Sequence, residues 1–366
     1  MKVAIIHYWL INMRGGEKVI EAFLDMFPDA DIFTHVYNPK TISDKINKKR
    51  VFTSRINSLP LAKKLYQLYM PLMPDALMDF NLRDYDLVIS SESGPAKGVV
   101  ANPGAYHLCY CHSPMRYLWD MYHEYFRNTV PIKRFFMKRL IPGLRLWDVI
   151  SSNLVDCFIV NSEYVKKRVR RYYNRDAAVV YPPVDIEKFL AVKREPSDYY
   201  LFFGQLTDYK RADLAIEACL ASGRKLVVAG AGKVKAKTEK KYHKNNLVTF
   251  KGKVSDEDLL RLYSSAKALL FPGIEDFGII PVEANAAGCP VIAYRDGGAP
   301  ETVKENVTGI FFDRQTSRDL MAAMEHFEQN EVKFNDRNVF NNHVKQFSKK
   351  IFIERVSQIL AERKRI

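Results

Sequence analysis

Two glutamates separated by seven residues form the pair with the clearest chemistry in the sequence. Glu275 and Glu283 stand at the two ends of the run EDFGIIPVE, which follows the strand-like segment Ala268–Phe271. Gly278, between them, would let the backbone approach a ligand closely, and the free amides at the start of the following helix favour an anion such as a diphosphate. The pattern predicts that Glu283 accepts hydrogen bonds from a ribose diol and that Glu275 lies beside the attached sugar. The alternative is a pair of exposed carboxylates at a helix start.

A second group of residues supplies positive charge after the strand-like segment Tyr199–Phe203. Gly204 ends this segment, and Lys210 and Arg211 follow within a few residues. Cations in this position can neutralise the charge of a departing nucleotide, and the alternative for Lys210 is a plain helix-cap cation. No Asp-x-Asp motif follows a strand, so these cations and backbone amides, rather than Mg2+, are expected to balance the phosphates. We therefore predict no metal site and no cofactor.

The first half of the chain contributes a glycine turn and a histidine. Gly15 and Gly16 follow the first strand and open a helix, so their amides could face a donor phosphate or an acceptor. His112 comes directly after another strand, a position that favours a functional histidine over a structural one. Glu92 and Ser93 follow a third strand and are weaker candidates, because strand-end capping explains them equally well.

The elements that must position these residues alternate along the whole chain. Strand-like apolar runs alternate with helix-period segments, which predicts an α/β protein. Two successive series imply two Rossmann-like, doubly wound parallel-sheet domains facing a cleft, with the carboxyl ends of both sheets pointing into it. We predict a first domain of residues 1–185 plus about 345–366 that binds the acceptor, and a second of residues 196–344 that binds the donor.

The overall charge points to an anionic partner. The chain of 366 residues has a formal net charge of +14, and residues 131–175 alone carry +8. Nucleic acid, acidic lipid headgroups or a diphosphate would suit such a patch, and a solvated helix face is the alternative. No recognition-module signature is present, so no nucleic-acid partner is expected. The first strand lacks a Gly-x-Gly-x-x-Gly sequence, which argues against a Rossmann dehydrogenase.

The basic stretch also has the composition of a membrane-contacting segment. Residues 132–147 interleave cations with large apolar groups, as interfacial segments do, and the predicted helix Leu61–Leu77 is expected to add to this surface. A buried helix with snorkelling lysines is the alternative. The sequence lacks a signal peptide and any run of eighteen apolar residues, and five scattered cysteines indicate a reducing cytosol. The predicted acceptor and membrane residues are Arg116, Lys133, Arg134, Lys138 and Arg139.

The glutamate pair and its surroundings resemble family 4 of the retaining glycosyltransferases, which have the GT-B fold. The resemblance rests on the E-x7-E segment, on the following AAGCPVIA and GGAPET sequences, and on the Gly-Gly turn near the amino terminus. It implies that Glu275 contacts the transferred sugar, that Glu283 holds the ribose, and that His112 lies beside the sugar. The family pattern has an arginine where this chain has Gln205, so Arg211 is expected to compensate. The implied donor-binding residues are Gly16, Gly204, Gln205, Lys210, Arg211, Phe277, Gly278, Ile279 and Glu283, and the implied catalytic residues are Glu275, His112 and Lys210.

The substrate is also inferred from resemblance. The segments EDFG, CHSPMRYLW and VYPPVD look like those of GDP-mannose-dependent mannosyltransferases of bacterial O-antigen and exopolysaccharide assembly. This resemblance implies retaining transfer of mannose to a lipid-linked or free glycan acceptor, in the cytoplasm at the inner face of the cytoplasmic membrane. A UDP-sugar-dependent glycosyltransferase of the same fold and a GT-B sugar-nucleotide epimerase are the alternatives.

Overall fold

The chain folds into two compact units. The computed structural model describes residues 1–127, 129–232, 235–242 and 245–364. Unit 1 comprises Met1–Pro183 and Phe352–Ile366, and unit 2 comprises Val184–Ile351. Within the described ranges, no helix is both long enough and apolar enough to cross a membrane.

Unit 1 is built on a seven-stranded parallel sheet with the strand order β3-β2-β1-β4-β5-β6-β7. Its strands are β1 Val3–His7, β2 Asp31–Thr34, β3 Val51–Thr53, β4 Leu87–Glu92, β5 Tyr106–Cys111, β6 Cys157–Val160 and β7 Ala177–Val179. Its α-helices before Pro183 are α1 Gly15–Met26, α2 Asp44–Asn47, α3 Ala62–Leu65, α4 Met73–Ala76, α5 Tyr122–Arg127, α6 Pro131–Ser151 and α7 Glu163–Tyr173. The central strands are buried on both faces, which explains why they appear in the sequence as continuous apolar runs.

Unit 2 has a six-stranded parallel sheet with the order β10-β9-β8-β11-β12-β13. Its strands are β8 Tyr199–Phe203, β9 Lys225–Ala229, β10 Val248–Gly252, β11 Leu269–Phe271, β12 Val291–Tyr294 and β13 Gly309–Phe312. Its helices are α8 Glu187–Leu190, α9 Ala212–Ala221, α10 Lys235–Tyr242, α11 Asp256–Ser265, α12 Ile279–Ala286, α13 Ala299–Thr302, α14 Ser317–Gln329 and α15 Arg337–Val344.

The last helix, α16 (Lys349–Lys364), returns the chain to unit 1. Phe352 and Val356 on this helix are buried in the core formed by α1 and the central strands. The Phe352 ring lies 5.5 Å from the ring of Phe23 and 5.7 Å from that of Tyr110. Unit 1 is therefore completed by a segment that lies more than 160 residues beyond its other elements in the sequence.

One predicted helix is wrong. Residues 61–77 form two single-turn helices, α3 and α4, separated by 3-10 turns. Pro71 and Pro74 lack the backbone N–H that a continuous helix needs. In such a helix each proline ring would also clash with the preceding turn. The apolar residues of this segment instead pack in short turns, with Ala62, Met73 and Ala76 buried in one cluster with Ile11, Val36 and Ile56.

The strand orders locate a switch point in each sheet. In unit 1 the strands that follow β1 are added towards one edge of the sheet, and those that follow β4 are added towards the other edge. In unit 2 the same reversal lies between β8 and β11. Ligands of open α/β sheets bind outside the carboxyl ends of strands at such points. The residues that directly follow β1 and β4, and those that follow β8 and β11, are therefore the first places to look for a functional site.

Candidate active site

The switch point of unit 2 brings a lysine and a glutamate into contact. Lys210 ends the 3-10 turn that follows β8, and Glu275 lies in the loop that follows β11. The Lys210 Nζ atom is 2.8 Å from Glu275 Oε1, and the two side chains are only 12% and 19% exposed. In such a partly buried position, an ion pair is weakly screened by water and salt. Two residues predicted to act together are thus adjacent, although 65 residues separate them in the sequence.

The two loops approach each other because glycines occupy the points of contact. A Cβ atom added to Gly273 would lie 2.7 Å from the Cα of Lys210, and one added to Gly297 would lie 2.4 Å from the carbonyl oxygen of Glu275. Real Cβ atoms do not approach other atoms this closely, so a larger residue at either position would push a loop away. Gly204, at the end of β8, has a φ of +147°, and a Cβ there would lie 3.5 Å from Lys210 Nζ.

The start of α12 forms the other side of this site. Gly278 has a φ of +97° and directly precedes the helix, which begins at Ile279. Pro281 therefore lies inside the helix, two residues after its start. Pro281 is tolerated within the first turn because the amides there have no partner inside the helix. Phe277 is buried, with its ring 5.7 Å from that of Phe347, so it anchors the loop within the protein.

Glu283 lies near the start of α12, and the pKa of its carboxyl group is shifted. Burial raises its pKa to about 7, against the smaller opposing effect of Lys188. The Tyr263 hydroxyl donates a hydrogen bond of 3.2 Å to Glu283 Oε2. Tyr263 was not predicted as a site residue. The helical spacing of α11 identifies it only as a core position, and nothing in the sequence indicates that its hydroxyl reaches α12.

The two remaining predicted donor residues of this loop differ in their surroundings. Gln205 is exposed. Arg211 has a left-handed backbone conformation, with φ of 56°, and its guanidinium lies 3.2 Å from the Asp213 carboxylate and donates to the side-chain carbonyl of Gln315 at 3.1 Å. Gln315 in turn donates to the carbonyl of Pro272 at 2.8 Å. Arg211 is therefore held beside the loop that leads to Glu275, with its charge partly balanced by Asp213.

The switch point of unit 1 brings the predicted Gly16 next to the predicted His112. A Cβ on Gly16 would lie 3.7 Å from His112 Nε2 and 3.3 Å from the Tyr8 hydroxyl. The backbone of His112 is fixed on both sides, since its N–H donates to the carbonyl of Glu92 at 2.8 Å and its carbonyl accepts from the side chain of Asn161 at 3.0 Å. Burial and the neighbouring His7 lower the pKa of His112 to about 3, so its imidazole is neutral at pH 7.

Three further residues connected to His112 were not predicted to act with it. Ser91 Oγ lies 2.8 Å from His112 Nε2 and 3.0 Å from His7 Nδ1. His7 Nε2 in turn lies 3.6 Å from the Glu17 carboxylate, and all three side chains are buried. Glu17 follows the predicted glycine turn, but His7 and Ser91 are ordinary strand-end residues in the sequence.

Glu92, a weaker candidate in the sequence, belongs to a buried ionic cluster. Lys97 Nζ is 2.9 Å from Glu92 Oε1 and also forms an ion pair with Asp148, and all three side chains are 0% exposed. The Trp119 indole N–H and the Tyr173 hydroxyl donate to Asp148 at 2.8 Å and 3.0 Å. The cluster joins the end of β4 to α6 and α7, and the two carboxylates share one lysine.

The predicted acceptor and membrane residues lie on and near α6. Arg116 is mostly buried, with its Nε atom 3.8 Å from Asp120. Arg134 donates to the carbonyls of Thr129 and Arg127, each at 2.7 Å, and Lys138 Nζ lies 5.6 Å from the ring centre of Phe126. Arg139 is exposed. The side chain of Lys133 lies outside the described residues.

Comparison with known proteins identifies the class of the chain. Residues 13–188 match the model of Glycosyltransferase Family 4, and residues 184–347 match that of Glycosyl transferases group 1. The crystal structure of Anabaena HepE in complex with UDP is similar in fold, with a TM-score of 0.71 and 18% identity, over 99% of this chain and 100% of that one. The chain therefore belongs to family 4 of the glycosyltransferases and has the GT-B fold.

Two curated relatives align with part of the chain. The D-inositol 3-phosphate glycosyltransferase of Mycobacterium sp. (strain KMS) is 32% identical over 181 residues, which are 43% of this chain and 41% of that protein. The GDP-mannose-dependent alpha-(1-6)-phosphatidylinositol monomannoside mannosyltransferase of Mycobacterium tuberculosis (strain CDC 1551 / Oshkosh) is 28% identical over 220 residues, 52% of this chain and 54% of that protein. The chain thus spans about half the length of these relatives or less.

Proposed function

We propose that the chain transfers mannose from GDP-mannose, with retention of configuration, to a glycan acceptor carried on a lipid diphosphate. The contact between Lys210 and Glu275 at the switch point of unit 2 carries this proposal. The second mycobacterial relative is a GDP-mannose-dependent enzyme by name, which supports the choice of donor. The proposed pathway is cell-surface polysaccharide synthesis at the inner face of a bacterial cytoplasmic membrane.

In this reaction Lys210 stabilises the leaving group. The bond between the sugar anomeric carbon and the diphosphate oxygen breaks, and negative charge grows on the departing GDP. A preoriented ammonium group stabilises that charge more in the transition state than in the ground state, which is the condition for raising kcat. The acceptor oxygen then bonds to the anomeric carbon on the face that the diphosphate leaves, and the acceptor proton passes to the departing phosphate. Glu275 holds Lys210 in place and faces the sugar.

A donor screen tests this proposal. The full chain would be incubated with GDP-mannose and with UDP-glucose, UDP-galactose and UDP-N-acetylglucosamine, with and without a lipid-diphosphate-linked glycan, and the product linkage would be determined by NMR. An α-mannosidic product from GDP-mannose alone supports the proposal. The HepE complex contains UDP, and transfer from a UDP-sugar would change the donor. Conversion of the donor in the absence of acceptor would indicate an epimerase instead.

The raised pKa of Glu283 predicts how nucleotide affinity depends on pH. If its carboxylate accepts hydrogen bonds from the ribose diol, GDP binds the ionised form better, and this form is populated only above about pH 7. The Kd for GDP should fall about tenfold between pH 6 and pH 8. Tyr263, Lys188, Asp185 and Asp256 act on Glu283 electrostatically, and they are unchanged in Glu283→Gln. Calorimetry on this variant is the control, because it removes the carboxyl group and leaves the titration of the GDP phosphate. An equal pH dependence in both proteins would contradict the assignment of Glu283.

We also propose that α6 and residues 61–78 contact an anionic membrane. Six large apolar side chains of α6 are exposed, which supports this contact over the alternative of a buried helix: Ile132, Phe135, Phe136, Leu140, Leu146 and Ile150. Leu61, Leu68, Leu72 and Met78 are exposed as well. Met70 packs against the core cluster of Met115, Leu118, Ile141 and Leu144, which includes two residues of α6, so the two segments are in the same part of unit 1. Exposed apolar groups interleaved with cations are typical of surfaces that lie at a lipid headgroup region.

Vesicle binding tests this surface. The chain should bind vesicles containing phosphatidylglycerol at low salt and lose affinity at high salt, because the Debye length shortens. Replacing Lys138 and Arg139 by glutamate should weaken binding at least about tenfold. The matched control replaces the exposed Lys225 and Lys241 of unit 2 by glutamate, which gives the same net charge as the first variant. This control should bind vesicles nearly as well as the wild type. Equal binding to neutral and anionic vesicles would exclude this proposal.

A further inference from the structure

A chain of four side chains in unit 1 links a buried carboxylate to the predicted catalytic histidine. The Glu17 carboxylate accepts the Arg14 backbone N–H at 2.9 Å through Oε2, and its Oε1 faces His7 Nε2 at 3.6 Å. His7 Nδ1 lies 3.0 Å from Ser91 Oγ, which lies 2.8 Å from His112 Nε2. Register brings the chain together, because His7 on β1 pairs directly with Ser91 on β4.

When both imidazoles are neutral, the protons in this chain can be arranged in two continuous directions. A neutral imidazole has one N–H donor and one bare nitrogen, and a serine hydroxyl has a single proton to donate. In the first direction, His7 carries its proton on Nε2, Ser91 donates to His7 Nδ1, and His112 donates from Nε2 to Ser91. In the second direction every donor and acceptor is exchanged, and His112 carries its proton on Nδ1.

The charge on Glu17 distinguishes these arrangements. An ionised carboxylate only accepts hydrogen bonds. In the second direction the bare Nε2 of His7 would point its lone pair at the carboxylate oxygen 3.6 Å away, and both side chains are buried. This arrangement is costly because the buried His7 Nε2, which has no hydrogen-bond partner among the described residues, would face another acceptor. In the first direction the same nitrogen presents its N–H to the carboxylate, which is attractive at this distance.

We infer that Glu17, acting through His7 and Ser91, fixes His112 as the tautomer protonated on Nε2 and leaves Nδ1 as a hydrogen-bond acceptor. Glu17, His7 and Ser91 are positioning residues, since none of them need touch a substrate. Burial keeps His112 neutral at pH 7, so the identity of its tautomer decides what it can recognise. In the proposed function, on which this step rests, His112 then accepts a hydrogen bond from a sugar hydroxyl through Nδ1.

One isosteric substitution should reverse the direction of the whole chain. In Glu17→Gln, the side-chain carbonyl can keep its bond to the Arg14 N–H, and the NH2 group then faces His7 Nε2 as a donor. His7 must carry its proton on Nδ1 and donate to Ser91, which donates to His112 Nε2. The His112 proton then resides on Nδ1, so the substitution converts its acceptor into a donor without changing the size of any residue in the chain.

Histidine tautomers can be observed directly by NMR. The full chain would be labelled with 15N-histidine, and the ring nitrogens of His112 would be assigned among the eight histidines with a His112→Gln variant. We expect the wild type to show Nε2 protonated and Nδ1 bare, and Glu17→Gln to show the opposite. In a Ser91→Ala background the substitution at residue 17 should no longer change the His112 shifts. A wild-type His112 protonated on Nδ1 would overturn the inference, even if the variant failed to fold. So would an unchanged tautomer in a folded Glu17→Gln protein.

Enzyme kinetics provides a second test, because a purely structural role of Glu17 would not make its effect on kcat/KM depend on Ser91. Glu17→Gln should lower kcat/KM for the sugar donor about tenfold, and the same substitution in the Ser91→Ala background should cause little further loss. Additive losses from the two substitutions would contradict a connected chain. Absence of any transferase activity in the wild type would reject the proposed function, whereas the NMR result would still decide the tautomer.

Discussion

Lys210→Ala should lower kcat for sugar transfer by about 100- to 1000-fold, the loss seen when one preoriented group that stabilises developing negative charge is removed from an active site. Lys210 forms an ion pair with Glu275, with 2.8 Å between Nζ and Oε1. Alanine removes this ion pair with Glu275, and in the proposed reaction it also removes the ammonium group from beside the departing diphosphate. The effect should fall mainly on kcat, because the charge that Lys210 is proposed to stabilise grows as the bond breaks.

The control for this variant is another lysine of unit 2 that forms an ion pair outside the site. Lys225 Nζ lies 2.7 Å from Asp198, and both side chains are more than half exposed. Lys225→Ala should leave kcat and KM unchanged. Lys210→Arg keeps the charge but not the geometry of a compact ammonium group, and it should recover only part of the activity. A Lys210→Ala enzyme that retained more than about a tenth of the wild-type kcat would contradict the role assigned to this residue.

The parts of the candidate site that sequence analysis predicted are those with local causes. Glu275, Gly278 and Glu283 belong to one strand-to-helix connection, so their order along the chain nearly fixes their order in space. Lys210 is farther away in the sequence, yet it also directly follows a strand. Because both strands are parallel and neighbours in the sheet, their carboxyl ends meet at one edge. Alternation of strands and helices was enough to predict this meeting.

The parts that sequence analysis missed depend on register and on contacts between distant helices. His7 pairs with Ser91 because of the register between β1 and β4, and 84 residues separate them in the chain. A shift of one residue would turn either side chain to the other face of the sheet. The hydrogen bond from Tyr263 to Glu283 likewise depends on how α11 packs against α12. No periodic pattern in the sequence carries information of this kind.

The buried cluster of Lys97, Glu92 and Asp148 is the largest such omission, and it predicts a large change in stability. Lys97→Met should lower the free energy of unfolding of unit 1 by about 3–5 kcal/mol, because removing one partner of a buried ion pair leaves charge uncompensated. Two carboxylates would then remain at positions with 0% exposure. Burial and Asp148 already raise the pKa of Glu92, and Lys97 opposes that rise.

The sign of the pH dependence follows from that opposition. Without Lys97 the pKa of Glu92 should rise further in the folded state, while it keeps its ordinary value in the unfolded chain. A carboxyl with a raised folded pKa favours the folded state at low pH, and this stability is lost as pH rises through the folded pKa. The defect of Lys97→Met should therefore shrink on acidification from neutral pH towards the ordinary pKa of glutamate.

Urea unfolding followed by tryptophan fluorescence measures this effect in unit 1 alone, because all three tryptophans of the chain lie there, at positions 9, 119 and 147. Lys225→Met in the exposed pair of unit 2 is the matched control and should leave the fluorescence transition unchanged. Trp147 packs beside Lys97, with the ammonium 5.4 Å from its ring centre, so the native emission should change as well. If Lys97→Met unfolds at the wild-type urea concentration at neutral pH, then the cluster does not hold α6 to the sheet through its charges, and packing around Asp148 must do so instead.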